Sequence, residues 1–392
     1  MNDKPIHILH LLSWFPTPDD PTKGNFCLRQ IEAVSLFCPS VVLSVYINCN
    51  INKKRVLLCN TVDNYTQITI QIKSFRSPWL KVNSFINKVR IFMAYNGGLK
   101  YIQKNIFKVD LVHLHVALPA GKIALFWKIK YKIPFILSEH WSVYTPQDTR
   151  LKKNNIKKTI LRINKYASSI TVVSNRLKTN MQLFGIKNEI EIIPNVIDVE
   201  IFNSINKPNN TIIQILHVSS LNDDEKNFSG ILRVINRLKD LRIDFVLNVI
   251  HDYDYTEYKS YIEENQLSKY VIFHGKKSME DLATGYQKAD FLVMFSNFET
   301  FSCVVMESLA CGTPVLATET GAIPEMIDNK RGIVISAGDE EALFQKMNFM
   351  LDNYSTFSKN EMSQFIKQNF TKEIVGKQFA TIYKKCLNSK NQ

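Results

Sequence analysis

The chain has 392 residues, 45% of them hydrophobic, which is enough for two α/β cores of ordinary size. It contains no run of about 18 uncharged apolar residues, so no spanning helix is expected, and no cleavage-site pattern follows the apolar start Met1–Leu12, so neither is a secretory leader. Its formal charge of +13 divides into 28 Lys+Arg against 10 Asp+Glu over residues 1–195 (net +18) and 21 against 26 thereafter (net −5), without zinc-finger spacing, an RNP-like aromatic pattern or a helix-turn-helix, so nucleic acid is not an expected partner.

In the first half, apolar runs predict strands over Ile6–Leu12, Val41–Val45, Ile68–Ile72, Leu111–His115, Phe135–Ser138, Ser169–Val173 and Ile190–Ile193. Helical patterns alternate with them over Phe26–Phe37, Ser84–Gln103, Gly121–Tyr131, Lys157–Tyr166 and Asn175–Phe184. After the first strand, Pro16, Pro18 and Pro21 make a rigid loop, and Gly24 permits close backbone approach at the helix start. Segment Trp79–Phe107 mixes Lys81, Lys88, Arg90, Lys100 and Lys104 with Leu80, Phe85, Ile91 and Phe92. With the basic runs Lys53–Arg55, Lys128–Lys132 and Arg150–Lys158, it suits an anionic membrane surface; an ordinary solvated face is the alternative.

Two polar clusters close strands in this half. In Asp110-Leu-Val-His113-Leu-His115 the two histidines share one side of the strand. No third ligand with suitable spacing is evident, so no metal is expected there. Ser138-Glu139-His140-Trp141 ends the next strand. The seven cysteines (Cys27, Cys38, Cys49, Cys59, Cys303, Cys311, Cys386) are scattered and form no C-x-x-C pair, which fits reduced thiols in a cytoplasmic protein.

Pro194–Asn210 reads as a linker. Beyond it, strands are predicted over Ile212–Val218, Asp244–Val249, Val271–His274, Phe291–Met294, Pro314–Ala317 and Ile333–Ile335. Helices are predicted over Asn227–Lys239, Thr256–Asn265, Met279–Lys288, Cys303–Cys311, Glu340–Asp352 and Thr371–Leu387. The expected fold class is α/β, two Rossmann-like domains with parallel sheets. The domains are placed at residues 1–200 and 201–370, followed by a helix within 371–392.

The densest signal is Asn297–Ile327, NFETFSCVVMESLACGTPVLATETGAIPEMI. A helix starting near Phe301 or Ser302 leaves its first amides unpaired, and its dipole favours a phosphate there. Glu307 then lies roughly 7–8 Å along the axis, where a carboxylate could accept from a ribose diol. Glu299, just before the helix, could take hydroxyls of a sugar. Helix capping by Glu299 and simple exposure of Glu307 are the plain alternative, and the ordered turns Gly312-Thr-Pro314 and Gly321-Ala-Ile-Pro-Glu325 argue against it.

This segment resembles the C-terminal signature of the retaining glycosyltransferases of family 4 (glycosyl transferases group 1, glycosyltransferase B fold). Glu299, Glu307, Ala310, Gly312, Pro314, Val315, Gly321 and Glu325 match; Ser302 departs, standing where the family has glycine. The family's Asp-Val-Val-His-x-His, Thr-Glu-His-Trp and Ile-Pro-Asn landmarks are similar to Asp110–His115, Ser138–Trp141 and Ile193–Asn195. Lys226 matches the family's phosphate-binding lysine, whereas the arginine six residues before it is Ser220; Lys276 or Lys277 could substitute in part.

The resemblance implies that the terminal helix crosses back to the first domain and that the sheets face each other across a cleft. It further implies metal-independent transfer of a sugar from a nucleoside-diphosphate donor, with retained configuration and no cofactor. The implied catalytic residues are His115, Lys226 and Glu299. The donor side would hold Gly24, Ser220, Lys226, Phe301, Ser302, Cys303 and Glu307, and the acceptor side Glu139 and His140. Family habit and basic charge point to a glycan or lipid-linked acceptor in surface-polysaccharide or lipopolysaccharide assembly, at the inner face of the cytoplasmic membrane. A sugar-nucleotide epimerase and a non-catalytic, nucleotide-binding partner subunit are the alternatives.

Overall fold

A computed structural model describes residues 4–15, 24–145, 154–205 and 211–388. The prolines Pro16, Pro18 and Pro21, the basic positions Arg150, Lys152 and Lys153, and part of the Pro194–Asn210 linker lie outside these residues. The chain divides into unit one, residues 1–173, 177–196 and 372–392, and unit two, residues 174–176 and 197–371.

Unit one contains β1 (Ile8–Leu12), α1 (Asn25–Ser35), β2 (Ser40–Asn48), β3 (Arg55–Val62), β4 (Tyr65–Lys73), α2 (Leu80–Asn105), β5 (Leu111–His115), α3 (Gly121–Tyr131), β6 (Phe135–Glu139), α4 (Asn154–Tyr166), β7 (Ser169–Val172), α5 (Asn175–Phe184) and β8 (Ile190–Ile192). Its sheet runs β3-β4-β2-β1-β5-β6-β7-β8. The strands are parallel except for β3, which pairs antiparallel with β4 through a two-residue turn holding Asp63 at φ 45°. The sequence reading missed β3 because this edge strand is mostly exposed and buries no alternating face. Central β1 and β5 are buried at every position, as helices on both faces require.

Unit two contains β9 (Ile213–Ser219), α6 (Asp223–Lys226), α7 (Phe228–Leu238), β10 (Phe245–His251), α8 (Thr256–Glu264), β11 (Val271–Gly275), α9 (Met279–Lys288), β12 (Phe291–Met294), α10 (Cys303–Ala310), β13 (Val315–Thr318), α11 (Ile323–Met326), β14 (Gly332–Ile335), α12 (Glu340–Asn353) and α13 (Lys359–Asn369). The sheet, β11-β10-β9-β12-β13-β14, is parallel throughout. Phe228, Ile231, Leu232, Ile235 and Leu238 recur at helical spacing on α7 and pack with Leu247, Val249, Leu343 and Met347. Burial of each such side chain stabilises by about 1.5–3 kcal/mol. The short α6 and α11 carry too few turns for a periodic signal, but α13 had one: Ser358 caps it by accepting from Glu361 N (3.4 Å) in an S-x-x-E pattern.

The last helix, α14 (Lys372–Asn388), belongs to unit one. Its Val375, Phe379, Ile382 and Tyr383 pack with Ala33 and Val34 of α1 over Ile8 and Leu111. Lys372 Nζ lies 3.0 Å from Glu32 Oε2.

Strand order reverses in each sheet where the connections change direction, between β1 and β5 and between β9 and β12. Open α/β sheets bind ligands beyond the strand ends at such points. Among the described residues, no helix is long and apolar enough to cross a membrane and no disulfide forms.

Candidate active site

In unit two, α6 follows the end of β9 after a three-residue turn, Ser220–Asn222. Asn222 O accepts from Lys226 N (2.7 Å), and Asn227 turns at φ 48°, so Lys226 ends the only turn of the helix. The segment after β12 docks on it: Asn297 N and Phe298 N donate to Glu225 O (2.8 and 3.3 Å), and Asn297 Nδ2 to Asp224 O (3.2 Å). This docking places Glu299 Oε1 2.7 Å from Lys226 Nζ. Ser296 Oγ donates to the same oxygen at 3.0 Å. Burial works to lower the Lys226 pKa, but the Glu299 carboxylate overrides it and holds the ammonium above its ordinary value. Both bonds fall on Oε1, so Oε2 is the oxygen left to accept from a ligand.

Gly321 fixes the height of this pair. At φ 54°, a Cβ there would lie 2.6 Å from Glu299 O and 2.7 Å from Thr300 O, while Ala322 N donates to Thr300 O (3.0 Å). The neighbour is backbone, which cannot swing aside. Gly321→Ala is expected to cost at least about 2 kcal/mol, as a non-glycine residue in a strained backbone region meeting a direct clash, and to displace Glu299. A thermal melt together with donor binding checks this; an unchanged melting temperature would contradict the packing.

Ser302 stands at the N-cap of α10 with φ 62° and ψ 79°. It is buried, and its Oγ has no hydrogen-bond partner. The left-handed backbone explains why the family carries glycine here. Ser302→Gly should raise stability by about 1 kcal/mol, by releasing the left-handed strain; a chemical denaturation curve measures it, and a loss of stability would refute the strain. Cys303 opens α10 in a half-buried position, and Phe301 packs edge-on against Phe370 with ring centroids 6.0 Å apart. Glu307 is buried, with its Oε2 accepting from Tyr286 Oη at 3.2 Å. Glu325 accepts from Asn175 N (3.0 Å), Asn175 Nδ2 (2.9 Å) and Arg176 N (3.1 Å), the first two residues of α5, which cluster with unit two although the rest of that helix belongs to unit one.

Ser220, in place of the arginine, lies one residue past β9 and is half-buried. The turn around it is held by His217. The His217 Nδ1 faces Val293 O (2.9 Å), which can only accept, so Nδ1 carries the proton. Nε2 then accepts from Ser219 Oγ (2.8 Å), and that oxygen accepts from Leu221 N (3.0 Å). Burial pushes the His217 pKa down to about 4, so the neutral tautomer persists at physiological pH. Lys276 and Lys277 are exposed after β11.

In unit one, Ser13 stitches the ends of β1 and β5 together. Its N donates to His115 O (3.0 Å), and its Oγ donates to Val116 O (2.7 Å) and accepts from Ala120 N (3.0 Å). Gly24, at φ 75°, is required by Trp14, whose carbonyl oxygen would lie 2.5 Å from a Cβ.

His10, His113, His115 and His140 are all buried at this end of the sheet. The Ser40 hydroxyl donates to Cys38 O (2.9 Å), so Ser40 Oγ accepts from His10 Nε2 (3.3 Å). His10 Nδ1 then accepts from His115 Nε2 (3.2 Å), which leaves His115 a lone pair on Nδ1. That Nδ1 and both ring nitrogens of His140 have no hydrogen-bond partner. His113 is fully engaged, by Tyr383 Oη and Ser138 Oγ, each at 2.7 Å.

Glu139 is used differently from His140. Its carboxylate accepts from Ala117 N (3.1 Å), His140 N (3.0 Å), Trp141 N (3.1 Å) and Tyr144 Oη (2.9 Å). Burial raises its pKa despite these donors. Its oxygens organise the end of β6 and the turn after β5 rather than standing open.

The predicted residues therefore form two groups. Ser220, Lys226, Glu299 and the start of α10 gather at the reversal point of unit two; Gly24, His115, Glu139 and His140 gather at that of unit one. Sequence reasoning passed over Ser296, Tyr286, His10 and Cys27. Tyr286, His10 and Cys27 meet their partners only in the fold, so no local spacing signals them, whereas Ser296 is a local partner of Glu299, three residues before it.

The glycosyl transferases group 1 model matches residues 198–372, and the glycosyltransferase family 4 model residues 57–201. An uncharacterized glycosyltransferase of Methanocaldococcus jannaschii is 30% identical over 271 residues, 64% of this chain and 69% of that protein. The fold resembles that of sucrose-phosphate synthase from Thermosynechococcus elongatus, with a TM-score of 0.78 and 16% identity over 98% of this chain and 100% of that one. Anabaena HepE, in complex with UDP and glucose, gives a TM-score of 0.70 at 15% identity over 96% and 98% of the two chains. Motif, topology and these matches agree that the chain belongs to the glycosyltransferases of group 1, family 4, with the glycosyltransferase B fold.

Proposed function

We propose that the protein transfers a sugar from a nucleoside diphosphate to a glycan or lipid-linked hydroxyl, with retention at the anomeric carbon and without a resident metal. The observation that carries this reading is the Lys226–Glu299 pair, 2.7 Å apart, at the strand-order reversal of unit two. HepE, bound to UDP and glucose, supports a nucleotide sugar as donor.

As the anomeric C–O bond to the diphosphate breaks, negative charge grows on the leaving phosphate. Lys226 and the first amides of α10 stabilise that charge. Glu299 Oε2 orients donor hydroxyls, and Glu307 holds ribose. The acceptor oxygen bonds to the anomeric carbon from the face the phosphate leaves, and its proton passes to the phosphate oxygen. The His115 lone pair at Nδ1 accepts from a sugar hydroxyl once side chains shift to admit it. Release of nucleoside diphosphate from a panel of nucleotide sugars, with membrane extract as acceptor and NMR of the product anomer, tests the reading. An inverted anomer would refute retention, and binding of nucleotide without any release would favour a non-catalytic partner subunit.

A lipid-linked acceptor implies work at an anionic membrane surface on the cytoplasmic side, and α2 supplies a face for it. The N-cap Trp79 and, from the first turn to mid-helix, Leu80, Phe85 and Met93 are exposed by 73%, 83%, 69% and 58%, beside Lys81 and Lys88. The far half of the helix is buried through Ala94, Leu99 and Ile102. Aromatic side chains with basic neighbours suit the headgroup boundary, each lysine contributing about 1 kcal/mol against anionic lipid. The double variant Lys81→Glu, Lys88→Glu is expected to lower sedimentation with phosphatidylglycerol vesicles at least tenfold. Unchanged sedimentation would remove α2 from the membrane.

A further inference from the structure

We propose that Cys27, His115 and His140 form a site for a thiophilic d10 cation, with Zn²⁺ as its reference ion, and that occupancy blocks His115. One ligand atom from each residue lies within 4.8 Å of the others, and all three residues are buried. His115 and His140 come from the ends of β5 and β6, and Cys27 from the first turn of α1. The wide sequence separation hid the third ligand.

The hydrogen bonds already set the ligands. The chain Ser40–His10–His115 puts the His115 proton on Nε2 and leaves an unshared, unpartnered pair on Nδ1 as the atom free to bind a cation. Metal-bound imidazoles have this arrangement, with the second nitrogen donating to a protein group that fixes the tautomer. His140 offers a nitrogen with no competing partner. The cluster His10, His113 and His115 is equally close but is not available, because both nitrogens of His113 and both of His10 are engaged. Cys27 also packs with Leu12, Ile31 and Val42, as an ordinary core cysteine would. That packing does not explain why two histidines with unfilled nitrogens converge on its sulfur.

Tetrahedral bonds of about 2.0–2.3 Å need the ligands to close by roughly 1 Å. On binding, the Cys27 thiol loses its proton to solvent, the thiolate and two imidazole nitrogens bond the ion, and a water fills the fourth position. Thiolate with imidazole selects Zn²⁺ or Cu⁺ over Mg²⁺ and Ca²⁺. The blocking effect rests on the proposed role of His115, whereas binding does not.

Co²⁺ titration of the full chain tests binding without turnover. One equivalent should produce thiolate-to-cobalt absorption, which Zn²⁺ displaces and Mg²⁺ does not. Cys27→Ser should abolish the band and His140→Gln weaken Zn²⁺ affinity by at least about tenfold, whereas Cys38→Ser keeps both. Near-UV circular dichroism establishes that each variant is folded, and His140→Gln decides the matter if Cys27→Ser is not. A band that survives in Cys27→Ser, or equal metal uptake by wild type and the Cys27→Ser, His140→Gln double variant, overturns the site. Zn²⁺ that displaces the cobalt band yet leaves nucleoside-diphosphate release unchanged overturns the block alone. Cu⁺ uptake lost in the same variants assigns the site to both ions.

Discussion

Lys226→Met and Glu299→Gln should each lower transfer about 10²–10³-fold, the loss expected when one preorganised partner of a developing charge is removed. Lys226→Met removes the cation that meets the leaving phosphate and leaves the carboxylate of Glu299, only 9% exposed, without its counter-ion. Stranding a buried charge destabilises by roughly 3 kcal/mol, so this variant should also unfold earlier. Glu299→Gln keeps an oxygen for Ser296 but weakens the grip on donor hydroxyls. The double variant separates the two effects: it carries no unpaired charge and should regain most of the stability while staying inactive. A double variant that recovered turnover along with stability would make the pair structural. Steady-state release of nucleoside diphosphate beside chemical denaturation measures both quantities.

Unit one should unfold on mild acidification. Burial pushes His10 and His140 down to about 3. His113 and His115 are also held well below their ordinary value, by burial first and then by neighbouring imidazoles. In the unfolded chain each histidine takes up a proton near pH 6.5. Below that pH the unfolded state binds more protons than the folded one, so stability falls as pH falls. The contribution is complete above about pH 6.5 and drains away on the path to about pH 3.

Each such group gives up about 1.4 kcal/mol per pH unit, so His10 and His140 alone approach the lower end of the 5–15 kcal/mol of an ordinary domain within about two units, and His113 and His115 act in the same direction. Glu139, whose pKa burial raises, works in the opposite sense, as one group against four. Unit two holds His217, at about 4, and His274, lowered more mildly by partial burial, so it should persist to lower pH. All four tryptophans, Trp14, Trp79, Trp127 and Trp141, lie in unit one, so their emission reports it alone. A cooperative red shift is expected between pH 6 and pH 4 (about two units below the histidine value), with a smaller acid sensitivity in His10→Gln. Emission unchanged to about pH 4 would contradict the linkage.

Much of the architecture was legible because the buried parallel strands announce themselves. Leu111–His115 and Phe291–Met294, and the helices Gly121–Tyr131 and Met279–Lys288, have the predicted bounds. Arg55–Val62 was not legible, since an exposed edge strand leaves no period. In the site, the order Glu299, Glu307, Gly321 could be read from the family resemblance, and Gly321 has its own physical reason, the absence of a Cβ against the Glu299 carbonyl. The Lys226–Glu299 contact joins residues 73 positions apart, and only the docking of Asn297 on Glu225 creates it. Glu139, placed on the acceptor side from the sequence, has its carboxylate occupied by amides that acquire their direction only after the turns at Ala117 and Trp141 form, which no local pattern announces.

A crystal structure with an intact or cleaved nucleotide sugar tests the donor grip most directly. The β-phosphate should lie about 3 Å from Lys226 Nζ and beside the first amides of α10, with the sugar on Glu299 and the ribose on Glu307. A diphosphate seated elsewhere, with Lys226 and Glu299 still paired and untouched by ligand, would contradict the proposed site.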